Sequence, residues 1–136
     1  MNYLLDTNIL SDAIKNPQGL VANRISTIDK NALLTSIIVA AEMRYGVNKK
    51  QSSVLTERVE LLLQTINIAP LDIDADRYYG KIRLNLEQQG RIIGANDLMI
   101  AAHALSLDAV LVTDNTREFE RIEGLKLENW LHSLPT

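Results

Sequence analysis

Apolar residues fall along the chain in two rhythms. Short continuous runs at Tyr3–Leu5, Leu33–Thr35, Ile66–Ala69 and Ala109–Thr113 predict buried strands. In the last, AVLVT, successive rather than alternate residues are apolar. That is the pattern of a strand covered on both faces of a parallel sheet. A fifth short strand is placed near Leu125–Leu127. Between the runs the period changes. Leu55, Val59, Leu62 and Ile66 recur at spacings of 4, 3 and 4, and Ala75, Tyr79, Ile82 and Leu86 repeat them before Gly90. Ser36 or Thr35 can cap a helix running to about Asn48. Leu98–Leu107 predicts an Ala-rich helix, and residues 9–15 and 20–29 predict shorter ones. Strands alternating with helices predict an α/β domain, with a mostly parallel sheet and helices on both faces.

The 136 residues suit a single domain, 1–136, with no internal repeat, low-complexity tract or linker. Pro17, Pro70 and Pro135 are scattered as punctuation. A hydrophobic share of 46% with 23% charged residues excludes a disordered or collagenous chain. No apolar run approaches the ~18–20 residues of a membrane span. The start, MNYLLDTN, lacks the basic region and cleavage site of a signal peptide. The absence of cysteine excludes disulfides, zinc–thiolate and iron–sulfur clusters, and thiol nucleophiles. Together these features predict a cytoplasmic protein. The net charge of −3 provides no global field for phosphate. Any nucleic acid would be held by a local basic surface or through metal ions. Aromatic residues, at 4%, are too few for a base-stacking sheet.

Four acids need explaining. Ligands of open parallel sheets sit beyond the carboxyl ends of the strands. Asp6 directly follows the first predicted strand and Asp114 directly follows AVLVT. Each has an alternative reading as the cap of the next helix. Glu42 has Ile38, Val39, Tyr45 and Gly46 as its helical neighbours, an apolar stripe holding one carboxylate. Its alternative is to reach solvent or to pair with Arg44 or Lys49. Asp97 opens a helix whose next inward residues are Ile100, Ala101 and Ala104. Its alternative is a position favoured by the helix dipole, although Asn96 is an equally good cap. If strand ends and helix starts share one sheet edge, the four carboxylates meet, and unneutralised they would repel one another. A hard divalent cation relieves this, and an all-oxygen donor set selects Mg²⁺ or Mn²⁺ over zinc. His103 reads as a structural histidine and His132 as a surface one.

The segments MNYLLDTNIL, TSIIVAAEMRYG, GANDLMIAAHAL and LVTDNTREFERIEGLKLENW, in that order, resemble the motifs of PIN-domain ribonucleases. More closely, they resemble the VapC toxins of bacterial toxin–antitoxin modules. The resemblance covers nearly the whole chain. It implies a three-layer α/β/α fold and Mg²⁺- or Mn²⁺-dependent cleavage of RNA by an activated water, leaving 5′-phosphate and 3′-hydroxyl ends. Carried over motif by motif, Asp6, Glu42 and Asp97 match the three most constant acids. Asp114 is the first choice for the fourth and metal-binding Glu118, in TREF, the second. Thr7, Asn8 and Thr113 flank the acids and can orient carboxylates or water, or serve as ordinary caps and turns.

Arg77 with Lys81, Lys49 with Lys50, and Arg117 with Arg121 are candidates to grip an RNA backbone, against an alternative as solvated surface charge. The resemblance implies a folded RNA substrate, transfer RNA among the possibilities, and a VapB-like antitoxin as partner. A basic antitoxin side chain can fill the acidic site. The Leu55, Val59, Leu62, Ile66 stripe, together with the family's habit of dimerising, predicts a homodimer. Two rivals belong to other classes. A catalytically inactive PIN-like module for RNA or protein binding is opposed by the four filled acidic positions. A phosphoryl-accepting α/β protein is opposed by Asp6-Thr7-Asn8, which stands where such phosphatases need Asp-x-Asp.

Overall fold

A computed structural model describes residues 1–132; Pro135 lies outside the described residues. The chain runs β1 (Tyr3–Leu5), α1 (Thr7–Lys15), α2 (Leu20–Thr27), β2 (Leu33–Ser36), α3 (Ile37–Lys50), α4 (Ser53–Thr65), β3 (Asn67–Ala69), α5 (Ala75–Gln88), α6 (Ala95–Ser106), β4 (Val110–Val112), α7 (Thr116–Phe119) and β5 (Leu127–Glu128). The five strands form one sheet in the order β3-β2-β1-β4-β5, and every pairing is parallel. Right-handed crossovers place α1–α4 on one face and α5–α7 on the other. In agreement, α1 packs with α2, α3 and α4, and α5 packs with α6. The result is the expected three-layer α/β/α sandwich.

Strand β4 lies inside the sheet between β1 and β5, and all three of its residues are buried, as its unbroken apolar run requires. The core around it includes Leu4, Leu5, Ile9, Leu10, Leu111 and Val112, none of them exposed at all. Chain order reverses direction between β1 and β4, because β2 and β3 extend to one side of β1 while β4 and β5 extend to the other. Such a switch point opens a crevice at the carboxyl ends of the two strands.

Side chains set the helix starts. Asp6 caps α1, Ser36 accepts from the Ile38 amide to cap α3, and Ser52 accepts from the Leu55 amide to cap α4. The Ala-rich helix starts earlier than expected. Its cap is Gly94, which offers no side-chain acceptor, and Asn96 is exposed inside the helix rather than capping it. The α4 stripe is core cover rather than a free face. Val59 and Ile66 are buried, and Leu55 and Leu62 pack against the core. Self-association through α4 would therefore have to use the residues it leaves outside, Val54 and Leu61.

Candidate active site

The turn after β1 is built around Asp6, which is only 5% exposed. Its Oδ1 accepts the Thr7 amide at 2.8 Å. Its Oδ2 accepts the Thr113 hydroxyl at 2.8 Å and the Asn8 amide group at 3.5 Å. Capping and a role in the site therefore coexist in one residue, since a carboxylate has about four acceptor positions. Burial raises the pKa of Asp6, and the bonds from Thr113, Thr7 and Asn8 oppose that rise. Thr113 is itself fully buried. It also accepts from Asn8 Nδ2 at 3.4 Å and from the Asn115 amide at 3.0 Å. Asn8 in turn accepts the Asp114 amide at 3.0 Å. Asn8 and Thr113 thus join the end of β1 to the end of β4, and Thr7, Asn8 and Thr113 all hydrogen-bond Asp6.

Glu42 is half-buried on α3 and accepts the Thr7 hydroxyl at 3.0 Å. Neither basic neighbour claims it. Arg44 instead forms a two-bond ion pair with Glu60, and Lys49 lies over the Tyr45 ring. Asp97 is half-buried in the first turn of α6. Burial raises its pKa to about 6, assisted by the negative charges of Asp6, Glu118 and Glu42. Three acids from distant parts of the chain therefore converge on Asp97.

The two candidates for a fourth acid part company. Glu118 adds its charge to those that raise the pKa of Asp97 and is steadied by the Asn115 side chain at 3.0 Å. It precedes Phe119, which is fully buried and anchors the short α7. Asp114 is exposed, and its carboxylate accepts from Asn129 at 3.0 Å. The steadying roles of Asn115 and Asn129 are not evident from sequence, because neither residue type nor spacing distinguishes them from turn formers.

Among the described residues these acids have no cationic partners. The ion pairs among the described residues join Arg24 to Glu128, Arg44 to Glu60, Arg83 to Glu87 and Lys126 to Asp108. Among the described residues no three acidic or histidine side chains are drawn tightly enough together to form a finished metal cage. Mutual repulsion between uncompensated carboxylates favours such separation. The donor set is all oxygen, negatively charged and unpaired, which suits a hard divalent cation.

Of the candidate RNA-gripping residues, Lys50 lines the same cavity as Glu42. Lys81 lines a different cavity between α5 and the segment 122–124. Arg77, Lys49 and Arg117 are exposed, and Arg121 turns a guanidinium nitrogen to the Arg91 carbonyl at 3.5 Å. Lys15, which the sequence did not single out, joins Lys50 at the cavity beside Glu42. His103 is buried, as a structural histidine should be. Its Nδ1 lies 2.8 Å from Ser36 Oγ. Burial lowers its pKa, against smaller opposing effects of the Pro70 carbonyl and Asp72. His132 is exposed. No helix of the described residues is long and apolar enough to cross a membrane.

A parallel sheet with carboxylates gathered at its switch point defines a class, and the family comparison agrees. The PIN-domain model matches residues 3–125. The chain is 43% identical over 132 residues to Ribonuclease VapC2 of Rickettsia felis, covering 96% of this chain and 98% of that one. It is 37% identical over 134 residues to the tRNA(fMet)-specific endonuclease VapC of Shigella flexneri, with 96% and 98% covered. The crystal structure of VapBC2 from Rickettsia felis bound to a promoter DNA fragment superposes with a TM-score of 0.89 at 42% identity, covering 96% of this chain and 99% of that one. The chain belongs to the PIN-domain family and, within it, to the VapC ribonucleases.

Proposed function

We propose that this protein is the toxin of a type II toxin–antitoxin pair, a divalent-metal-dependent endoribonuclease of the cytoplasm whose single domain carries the whole activity. The observation that carries this reading is the gathering of Asp6, Glu42 and Glu118 around the half-buried Asp97, close enough for their charges to act on it, with no basic group paired to any of them among the described residues. In this reading Asp6, Glu42, Asp97 and Glu118 hold Mg²⁺ or Mn²⁺, while Asp114 helps to shape the turn that carries Glu118. When bound, the metal offsets phosphodiester charge and supports activation of water.

The protein's own residues supply the rest. Thr113, Thr7 and Asn8 fix the rotamer of Asp6, and Thr7 also fixes that of Glu42. Asn115 holds the Glu118 carboxylate. Lysines and arginines around the acids bind RNA phosphates and set the position of the strand. Transfer RNA is the first substrate to test, since a relative 37% identical is named as tRNA(fMet)-specific. The proposed partner is a VapB-like antitoxin, with a basic side chain entering the carboxylate group.

The test is incubation of the purified protein with total transfer RNA in Mg²⁺, Mn²⁺ or EDTA. Cleavage that needs metal and disappears in Asp97→Asn supports the reading. Intact RNA under every metal condition would make the chain an inactive PIN-like module.

A further inference from the structure

Beside Glu42, between α1, α3 and α4, lies a cavity of 170 Å³. It shares Thr7 and Glu42 with the acidic site. Met43, Val47 and Val59 give it apolar walls. Ser11, Lys15 and Lys50 stand at the same cavity, and neither lysine forms an ion pair among the described residues.

Gly46 leaves this space open. It lies one turn after Glu42 on the same face of α3. Glycine inside a helix is about 1 kcal/mol less favourable than alanine, and here no turn or close contact accounts for it. A methyl group at residue 46 would have no heavy atom within 4 Å. The fold does not demand a glycine at this point, yet any larger side chain would project into the cavity.

We infer that this cavity receives one unstacked base of the RNA, next to the phosphate being cut, and that Gly46 keeps the place free. The inference rests on the ribonuclease reading above. A volume below the ~300 Å³ at which pockets for drug-sized ligands begin suits a single ring system. Enzymes that take a base out of its stack hold it between apolar side chains and read its edge with a few polar groups, and RNA is commonly recognised through such splayed bases. The lysines favour RNA over an apolar protein side chain as the occupant, because two unpaired cations beside the cavity match the flanking phosphates.

The test uses the full chain and total transfer RNA. The cut is mapped, and variants of the cleaved RNA carrying each of the four bases beside it are compared. The wild type should discriminate among these bases. Gly46→Leu should raise KM and lower kcat/KM about tenfold or more, with discrimination flattened, as expected when a fitted pocket is filled. It should melt no lower than wild type, since leucine is the better helix former. Gly46→Ala should fall between the two. Lys15→Ala and Lys50→Ala should each weaken binding of this RNA and reduce its salt dependence by about one charge. Unchanged KM and base discrimination in Gly46→Leu would overturn the inference while leaving the ribonuclease reading intact. So would a loss confined to antitoxin affinity. If Gly46→Leu does not fold, Gly46→Ala and the two lysine variants decide the matter by the same readouts. A wild type that cuts no RNA in any metal would remove the ribonuclease reading, and this inference with it.

Discussion

The hydroxyl of Thr113 donates to Asp6 Oδ2 at 2.8 Å, joining residues 107 positions apart at the carboxyl ends of two neighbouring strands. Both residues are buried, so this bond offsets part of the cost of keeping a carboxylate out of water.

Thr113→Val keeps the volume and removes that donor. We expect a loss of about 1–3 kcal/mol of stability at neutral pH, the usual penalty of a buried group left unsatisfied. Asp6 loses the largest effect that opposes its raised pKa, so its pKa should rise further. The penalty falls on the charged form and should therefore shrink on acidification. Urea unfolding at pH 7.5 and pH 5 checks both parts, and RNA cleavage should require more metal.

Asp97→Asn should be more stable than wild type when metal is chelated. The folded-state pKa of Asp97, about 6, lies above its ordinary value of 3.8. Between those two values the native state binds more protons than the unfolded state. Wild-type stability therefore falls as pH rises through that window, and the full penalty is present above about pH 6. The variant escapes this, by about 1–2 kcal/mol at pH 7.5 after allowance for solvent screening, and the gap should close towards pH 4. Saturating Mg²⁺ should reverse the order, because metal stabilises only the form that binds it. Melting curves of both proteins in EDTA and in Mg²⁺ decide this. Strong destabilisation of Asp97→Asn in EDTA would mark Asp97 as a structural residue.

Glu118→Gln and Asp114→Asn should separate the two candidate fourth acids. Glu118 contributes to the field at Asp97 and Asp114 does not. We expect about a tenfold or larger loss of metal-dependent cleavage for Glu118→Gln, and a smaller one for Asp114→Asn, whose amide oxygen can still accept from Asn129. Metal titration of cleavage by the two variants makes the comparison. The reverse ranking would return the role to Asp114.

His103→Gln should destabilise the protein by loosening the buried contact with Ser36, which joins α6 to the capped start of α3. Burial holds the pKa of His103 below 6.5. Its contribution is therefore complete above pH 6.5 and is lost as pH falls through the folded-state value, where the unfolded chain takes up the proton first. The stability gap between wild type and variant, measured by urea unfolding, should narrow from pH 7.5 to pH 5.5.

Much of the architecture was written locally. AVLVT has the pattern of a strand covered on both sides, and the 4, 3, 4 spacings marked the inward faces of α4 and α5. Asp6, Glu42 and Asp97 stood out because each follows a strand, interrupts an apolar stripe or opens a helix. These signals survive in sequence because strand and helix periodicity act over a few residues. Other features depended on partners far along the chain. Gly94 rather than Asn96 begins α6, a matter of how the preceding loop arrives. Asp114 and Glu118 are four residues apart, and nothing local ranks them. What distinguishes them lies elsewhere in the chain: Asn8 and Asn129 hydrogen-bond Asp114, while Glu118 precedes the buried Phe119 and adds its charge to those that raise the pKa of Asp97. The cavity beside Glu42 likewise exists only because residues of α1, α3 and α4, distant in the chain, meet around it. The sequence by itself determined which residue types reach the end of the sheet. Tertiary packing decided which of them face one another, because a carboxylate's charge and hydrogen bonds act through space and not along the chain.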